Sequence, residues 1–191
     1  IYLKKSQFED ANRSFKELNL IVSDDFKKSS HYLQMKDQME FVETQLAIQK
    51  SIVKEILPTP LNEFALQYFP VLTADGSQIF FTRRGGTAHF DKEDIYVSYA
   101  SSPTNWSSPQ SISPQINSPY NEGTCSVTAD GNFLIFTSCD APDTQGSCDL
   151  YSVQRVDGEW QVPSNMGAKI NSTFWDSQPS LSADGRLLFF S

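Results

Sequence analysis

Histidine is nearly absent from this chain: His31 and His89 are the only two in 191 residues, and neither has a Cys, Ser or Asp constellation around it. That isolation removes the usual hydrolytic dyads and triads from consideration. Also missing are a Gly-x-Ser-x-Gly elbow, a His-Glu-x-x-His pair and a phosphate-binding loop; Gly85-Gly86 reads only as a loop. No run of 18 apolar residues occurs, so no segment reads as a bilayer-spanning helix. A signal peptide is lacking too, but a chain that opens at Ile1, in what reads as the middle of a helix, says nothing about a leader. Positive charge is scarce where negative charge is plentiful. Residues 1–57 balance nine Lys or Arg against nine Asp or Glu, whereas residues 58–191 carry six against fourteen, the whole net charge of −8. An acidic surface of this kind repels phosphate backbones, which argues against nucleic acid as a partner.

What the chain does have is a repeat. One block is written three times at a period of 54 to 55 residues, pivoting on Ala74-Asp75-Gly76, Ala129-Asp130-Gly131 and Ala183-Asp184-Gly185. The copies align without a gap over more than twenty positions. Upstream stand Leu61-Asn62, Ile116-Asn117 and Ile170-Asn171; downstream come Ile79-Phe80-Phe81-Thr82, Leu134-Ile135-Phe136-Thr137 and Leu188-Phe189-Phe190-Ser191. Asp94-Ile95-Tyr96 matches Asp149-Leu150-Tyr151, and Trp106 matches Trp160.

Each copy reads as four short antiparallel strands. The first, Pro70 to Thr73 in copy one, enters an Asp-Gly hairpin, where Gly tolerates positive φ and Asp bonds the turn backbone. A second, aromatic strand follows, then a third opening at Asp94 and a fourth near Trp106. Four strands with recurring aromatics per repeat predict the blades of a β-propeller; a sandwich would not demand the same side chain at every period. On this reading Phe80, Phe81, Ile135, Phe136, Phe189 and Phe190 form the core between blades. Asp75, Gly76, Asp130, Gly131, Asp184 and Gly185 are structural turn residues rather than catalysts. About two and a half blades are visible, too few to close a ring, so the expectation is a piece of a longer protein that continues beyond Ser191. Closure by several chains is the rival.

Residues 1–57 belong to a separate helical segment, followed by blades over 58–191. Phe8, Ala11, Phe15 and Leu18 recur at helical spacing. After a break at Ser23-Asp24-Asp25, a second helix is expected to run to Leu57, stopped by Pro58 and Pro60. Met35, Met39, Val42, Leu46, Val53 and Ile56 line one of its faces, with Phe41, Ile48 and Ile52 in a second stripe. So wide an apolar surface predicts cover from the first helix on one side and from the propeller or a missing helix on the other.

The repeat also interprets the cysteines. Cys139 and Cys148 bracket the loop between the second and third strands of copy two, and the same positions in copy one hold Arg84 and Glu93. One blade is expected to clip this loop with an ion pair, the next with a disulfide worth about 2–3 kcal/mol by loop entropy. Free thiols are the alternative; a metal site would need convergent ligands that no nearby Cys or His supplies. A disulfide places the chain outside the cytosol. Cys125, whose counterparts are Pro70 and Pro179, reads as a small buried hydrophobe. Asp140, Asp143 and Asp149 lack calcium-loop spacing and read as a solvated loop. No metal, cofactor or catalytic residue is assigned.

Several strings carry a family resemblance: Tyr68-Phe69-Pro70-Val71-Leu72-Thr73-Ala74-Asp75-Gly76, Ile116-Asn117-Ser118-Pro119-Tyr120-Asn121-Glu122-Gly123, Gly146-Ser147-Cys148-Asp149-Leu150-Tyr151 and Gln178-Pro179-Ser180-Leu181-Ser182-Ala183-Asp184-Gly185. They resemble the TolB-type propeller repeats of OmpA-family envelope proteins from Bacteroidota, including PorE-like proteins associated with type IX secretion. The segment Phe8 to Phe15 resembles the second helix of a tetratricopeptide unit. At Phe64 to Gln67 the usual acidic residue is missing. The resemblance implies a non-catalytic scaffold in the periplasm, associated with the outer membrane and docking envelope proteins. It implies peptidoglycan contact only through a C-terminal domain this sequence lacks, and membrane attachment only through a lipid anchor outside it. The alternative is a glycan-active, sialidase-like or glycan-binding propeller. That reading needs carboxylates on the first strands, which here read Val71-Leu72-Thr73, Ser126-Val127-Thr128 and Ser180-Leu181-Ser182.

Overall fold

The computed structural model describes residues 7–48 and 56–191, which fall in two compact units, one within 1–54 and one within 55–191. The protein is mainly antiparallel β-sheet with a few helices. No helix among the described residues is long and apolar enough to cross a membrane.

The helical unit contains α1 (Phe8–Ile21), α2 (Asp24–Lys27) and α3 (Ser30–Ala47). The second long helix therefore begins at Ser30 and not at the Ser23-Asp24-Asp25 break; it runs to Ala47 with Ile48 at its C-cap, and residues 49–55 of the expected run lie outside the described residues. Two serines cause the interruption. Ser23 accepts from the Phe26 amide (3.2 Å) and caps α2; Ser29 accepts from the Tyr32 amide (3.3 Å) while donating to the Phe26 carbonyl (2.6 Å), closing one helix and opening the next. Tyr32 is the centre of the packing. Phe15 stacks on it at 5.8 Å, Phe26 meets it edge-on at 6.1 Å, and its hydroxyl donates to Asn19 Oδ1 (2.6 Å). Ala11 and Met39 are also buried, as their spacing predicts, whereas Phe41, Leu46, Ile48 and Ile56 are exposed. Ile52, Val53 and the opening residues at Ile1 lie outside the described residues.

The β unit is built from the three copies, which form two five-stranded sheets and a two-stranded one, and one sheet is curled as a half-barrel. Copy one contributes β1 (Gln67–Leu72), β2 (Gln78–Arg84), β3 (Glu93–Ser102), β4 (Asn105–Trp106) and β5 (Gln110–Ser111). Copy two contributes β6 (Asn121–Val127), β7 (Phe133–Cys139), β8 (Cys148–Val156), β9 (Glu159–Trp160) and β10 (Ser164–Asn165); copy three contributes β11 (Ser180–Leu181) and β12 (Leu188–Phe189). In each of the first two copies a three-stranded meander leads to a split fourth position: Trp106 and Trp160 sit in short hairpins, and β5 and β10 then return along the same third strand.

The repeated Asp-Gly turns share one geometry. The amides of Gly76, Gly131 and Gly185 donate to the carbonyls of Thr73, Thr128 and Ser182. Only the glycines are left-handed (φ 68°, 73° and 69°), so these are not the two-residue primed turns that Asp-Gly suggests. That form occurs instead at Asp157-Gly158, where both residues have positive φ (51° and 84°) between β8 and β9. Each repeated aspartate accepts from the hydroxyl two residues before it and the amide two residues after it. The Ser77 amide, then the Thr73 hydroxyl, hold the Asp75 carboxyl down to about 2; Asp130 and Asp184 are lowered in the same way, first by the hydroxyls of Thr128 and Ser182.

The sheets of the first two copies pack face to face. Phe80, Ile95 and Val97 from one and Leu134, Phe136, Tyr151 and Trp160 from the other share a single core. Phe189 and Phe190 depart from the expected core: they are 61% and 41% exposed, and among the described residues β12 pairs only with β11. Asparagines join the copies. Asn117 binds both the amide and the carbonyl of Ile95 on β3 (2.9 and 2.8 Å), and Asn171 does the same to Leu150 on β8 (2.9 and 3.0 Å).

Candidate functional site

The first strands of copies one and two carry the same bulge. Pairing slips between Tyr68 and Val71 in β1 and between Gly123 and Cys125 in β6. At the slip the backbone turns left-handed, at Phe69 (φ 53°) and Thr124 (φ 32°), and Gln178 (φ 55°) occupies the equivalent place in copy three. Such backbone costs a non-glycine residue about 1–3 kcal/mol, and it persists only where the surroundings impose it. A bulge also re-aims the strand that carries it.

The three left-handed positions converge. Residues 69–71, 124–126 and 178–180 line one cavity of about 290 Å³. Hydrogen bonds between copies hold its walls: the Thr124 amide donates to Thr82 Oγ1 (3.0 Å), and the Leu181 amide donates to Ser126 Oγ (2.9 Å). No lining residue carries a formal charge. Cys125 is the one titratable group there, and complete burial pushes its thiol up to about 12, leaving it protonated and unreactive at neutral pH. This lining offers apolar contact and hydroxyl or amide hydrogen bonds, and no group poised for proton transfer.

Each of the first two copies also carries a loop clip between its second and third strands. Arg84 faces Glu93 across β2 and β3 with an Nη2 to Oε1 distance of 2.5 Å, and the Tyr68 hydroxyl donates to the same carboxylate. Partial burial, then the Glu93 hydrogen bond, pushes the Tyr68 hydroxyl up to about 12; the same carboxylate raises Arg84. In copy two the equivalent register pair is Cys139 and Cys148, joined by a disulfide. Copy three docks on that loop. The Ser147 amide donates to the Phe174 carbonyl (2.9 Å), the Asp176 amide donates to the Cys148 carbonyl (2.9 Å), and a Cβ at Gly146 would fall 1.7 Å from the Phe174 oxygen. Asp149 differs from the solvated residue expected. It is fully buried and accepts from the Gln145 and Gly146 amides and from Asn165 Nδ2 (2.9, 3.2 and 2.8 Å), while Asp143 accepts from the Tyr151 hydroxyl. No cluster of three potential metal ligands occurs among the described residues. His31 and His89 are exposed and lie in different units.

Two features escape the sequence. The left-handed residues are phenylalanine, threonine and glutamine, and Phe69 and Gln178 precede prolines, which favour extended backbone. The second is a buried brace. Glu122 accepts from the Ser118 amide (3.1 Å) and hydroxyl, and Asp176 accepts from the Ser172 amide and hydroxyl (2.6 and 2.8 Å). Gln67 fills the position in copy one, accepting from the Phe64 amide (3.3 Å) and donating to the Leu61 carbonyl (3.1 Å). The recurring Asn-Ser before each acid was its visible signal. No family model and no curated protein matches the chain.

Proposed function

We propose that residues 58–191 are blades of a β-propeller and that the protein is a non-catalytic scaffold of the cell envelope, of the TolB-like, OmpA-family kind with PorE-like, type IX secretion-associated members. The observation that carries this reading is the convergence of three equivalent left-handed residues, Phe69, Thr124 and Gln178, on one uncharged cavity. Inner strands around a common axis place the same residue of each blade side by side, and a wall of Phe69, Thr124 and Gln178 suits contact rather than acid–base chemistry. The Cys139–Cys148 disulfide fits an oxidising compartment outside the cytosol. On this reading the helical unit, tetratricopeptide-like, and the propeller present docking surfaces for envelope proteins.

Cell fractionation of the source organism combined with in-cell cross-linking tests the proposal. The expected result is recovery with the outer membrane or periplasm, in covalent adducts with envelope proteins. Recovery in the cytosol with reduced cysteines overturns the location, and turnover of a fluorogenic glycoside by the purified chain overturns the non-catalytic role.

A further inference from the structure

We propose that Asp157-Gly158 is a site of spontaneous isoaspartate formation, and that the product loosens the seat of Trp160 between the first two copies. The inference is independent of the envelope reading and stands on a contrast between turns of one sequence. Asp-Gly occurs at Asp75, Asp130, Asp157 and Asp184. Glycine, with no Cβ, offers a preceding side chain the least hindered backbone nitrogen, so composition alone ranks these sites alike.

The reaction needs an unengaged carboxyl and an unengaged amide. The Gly158 nitrogen bonds to Cγ of Asp157, its proton and the carboxyl hydroxyl leave as water, and a five-membered succinimide results. Water then opens the ring. Attack at Cγ restores aspartate, whereas attack at the backbone carbonyl carbon leaves the main chain running through Cβ and Cγ as isoaspartate. No reactant besides water enters.

In the repeated turns both groups are engaged. The Gly76 and Gly131 amides donate to the carbonyls of Thr73 and Thr128 (2.9 Å each). The Asp75 carboxylate accepts from Thr73 Oγ1 (2.7 Å), the Ser77 amide (2.9 Å) and the Ser77 hydroxyl (2.8 Å); Asp130 accepts from Thr128 Oγ1 (2.6 Å), the Asn132 amide (3.1 Å) and Asn132 Nδ2 (3.2 Å). These bonds favour the ionised form of both, which has no hydroxyl to lose. Asp157 stands apart: among the described residues its carboxylate accepts no hydrogen bond and the Gly158 amide donates none. Exposure does not make the difference. Asp75 is exposed too, and a Cβ at Gly76 or at Gly158 would meet nothing within 4 Å.

The turn is short, and what it carries is buried. Asp157 and Gly158 are the whole loop between β8 and β9, and β9 is only Glu159–Trp160. Isoaspartate adds one main-chain carbon to a hairpin loop whose length selects its turn. Trp160 is 7% exposed and meets Phe80 of copy one edge-on at 6.4 Å. Arg155 lies over the Trp160 ring at 5.7 Å, with its Nε donating to the Gly158 carbonyl (2.9 Å) and its Nη1 to Gln78 Oε1 of copy one (3.3 Å). The added carbon moves both the carbonyl that orients Arg155 and the ring that fills the core between copies.

Incubating the purified chain, folded, in warm and mildly acid buffer tests this. Peptides are then mapped by mass spectrometry with an endoproteinase that cuts before aspartate and not before isoaspartate. Isoaspartate at 157 is expected to exceed that at 75 and at 130 by about tenfold or more, the factor by which one hydrogen bond to a charged group biases an equilibrium. In urea, with the turns lost, the three sites should convert alike. Conversion at 157 no faster than at 75 or 130 in the folded chain overturns the proposal, and so does a bias that survives undiminished in urea. Hydrogen exchange of the aged chain reads the consequence. Faster exchange at 155–160 than in the fresh chain, with α1 unchanged, supports the loosened seat of Trp160, and unchanged exchange at 155–160 overturns it.

Discussion

Arg84 and Glu93 close a loop in the first copy through an ion pair; one period later the same register partners are Cys139 and Cys148, joined covalently. The brace before the first strand shows the same exchange, with neutral Gln67 in one copy and the carboxylate of Glu122 in the next. So does the aromatic cluster of each copy: Phe81 and Tyr96 lie under Phe64 and Arg83, whereas Phe136 and Tyr151 lie against a whole sheet. Strand register decides which two side chains meet; the chemistry that joins them is interchangeable. What is not interchangeable is the response to conditions, and the copies can be separated on that basis.

The largest effect separates buried aromatics from an exposed one. Phe136 is 1% exposed and Phe189 is 61% exposed, although their second strands have the same pattern. Phe136→Ala is expected to cost about 3–5 kcal/mol in urea unfolding, by lost transfer and the cavity left behind. Phe189→Ala should stay within about 0.5 kcal/mol. Equal losses at the two sites would mean that the third copy is as tightly packed as the second.

Next come the asparagine latches. Asn171→Ala strips the buried amide of Leu150 of its partner, at about 1–3 kcal/mol, while the Leu150 carbonyl keeps the Met166 amide (3.0 Å). Asn62→Ala removes an exposed side chain and should change unfolding by less than about 0.5 kcal/mol. Hydrogen exchange at Leu150 gives a local readout of the first variant, expected to accelerate before the strand as a whole opens.

These contrasts show what a sequence of this kind can disclose. Period and pairing were readable: a gapless repeat put Arg84 against Glu93 and Cys139 against Cys148, since two residues at one register position share a neighbour whatever they are. Burial was less readable, because it belongs to the neighbour and not to the residue. Phe189 carries the pattern of Phe80 without its cover. The Ser29 cap went unseen because Ser23-Asp24-Asp25 offers a stronger start signal six residues earlier, and the short α2 uses it first. The cavity was hidden for another reason: nothing in the identity of Phe69, Thr124 or Gln178 favours left-handed backbone, which the sheet imposes.

Reduction sharpens the comparison between the clips. A reductant should lower stability by about 2–3 kcal/mol through the ten-residue loop of copy two. Glu93→Gln should cost less, and raised salt should weaken the first clip while leaving the second untouched. Thermal melts with and without reductant, at low and high salt, separate the two. An unchanged melt on reduction would mean that the Phe174 to Asp176 segment holds the loop unaided.

The smallest effect is a pH dependence, and it turns on the one brace position occupied by Gln67, Glu122 and Asp176. Burial raises the Glu122 carboxyl above its ordinary 4.5. The folded chain therefore holds that proton more tightly than the unfolded one. Its contribution is fully present below the unfolded value and is lost as pH rises through the folded value. Glu122→Gln, the substitution the first copy already carries, should remove this dependence. At acid pH the variant and the parent should melt together, and above the folded value the variant should melt higher by a constant margin. A margin that shrinks as pH rises would mean that the ionised carboxylate, held by the Ser118 amide and hydroxyl, is the form the fold prefers.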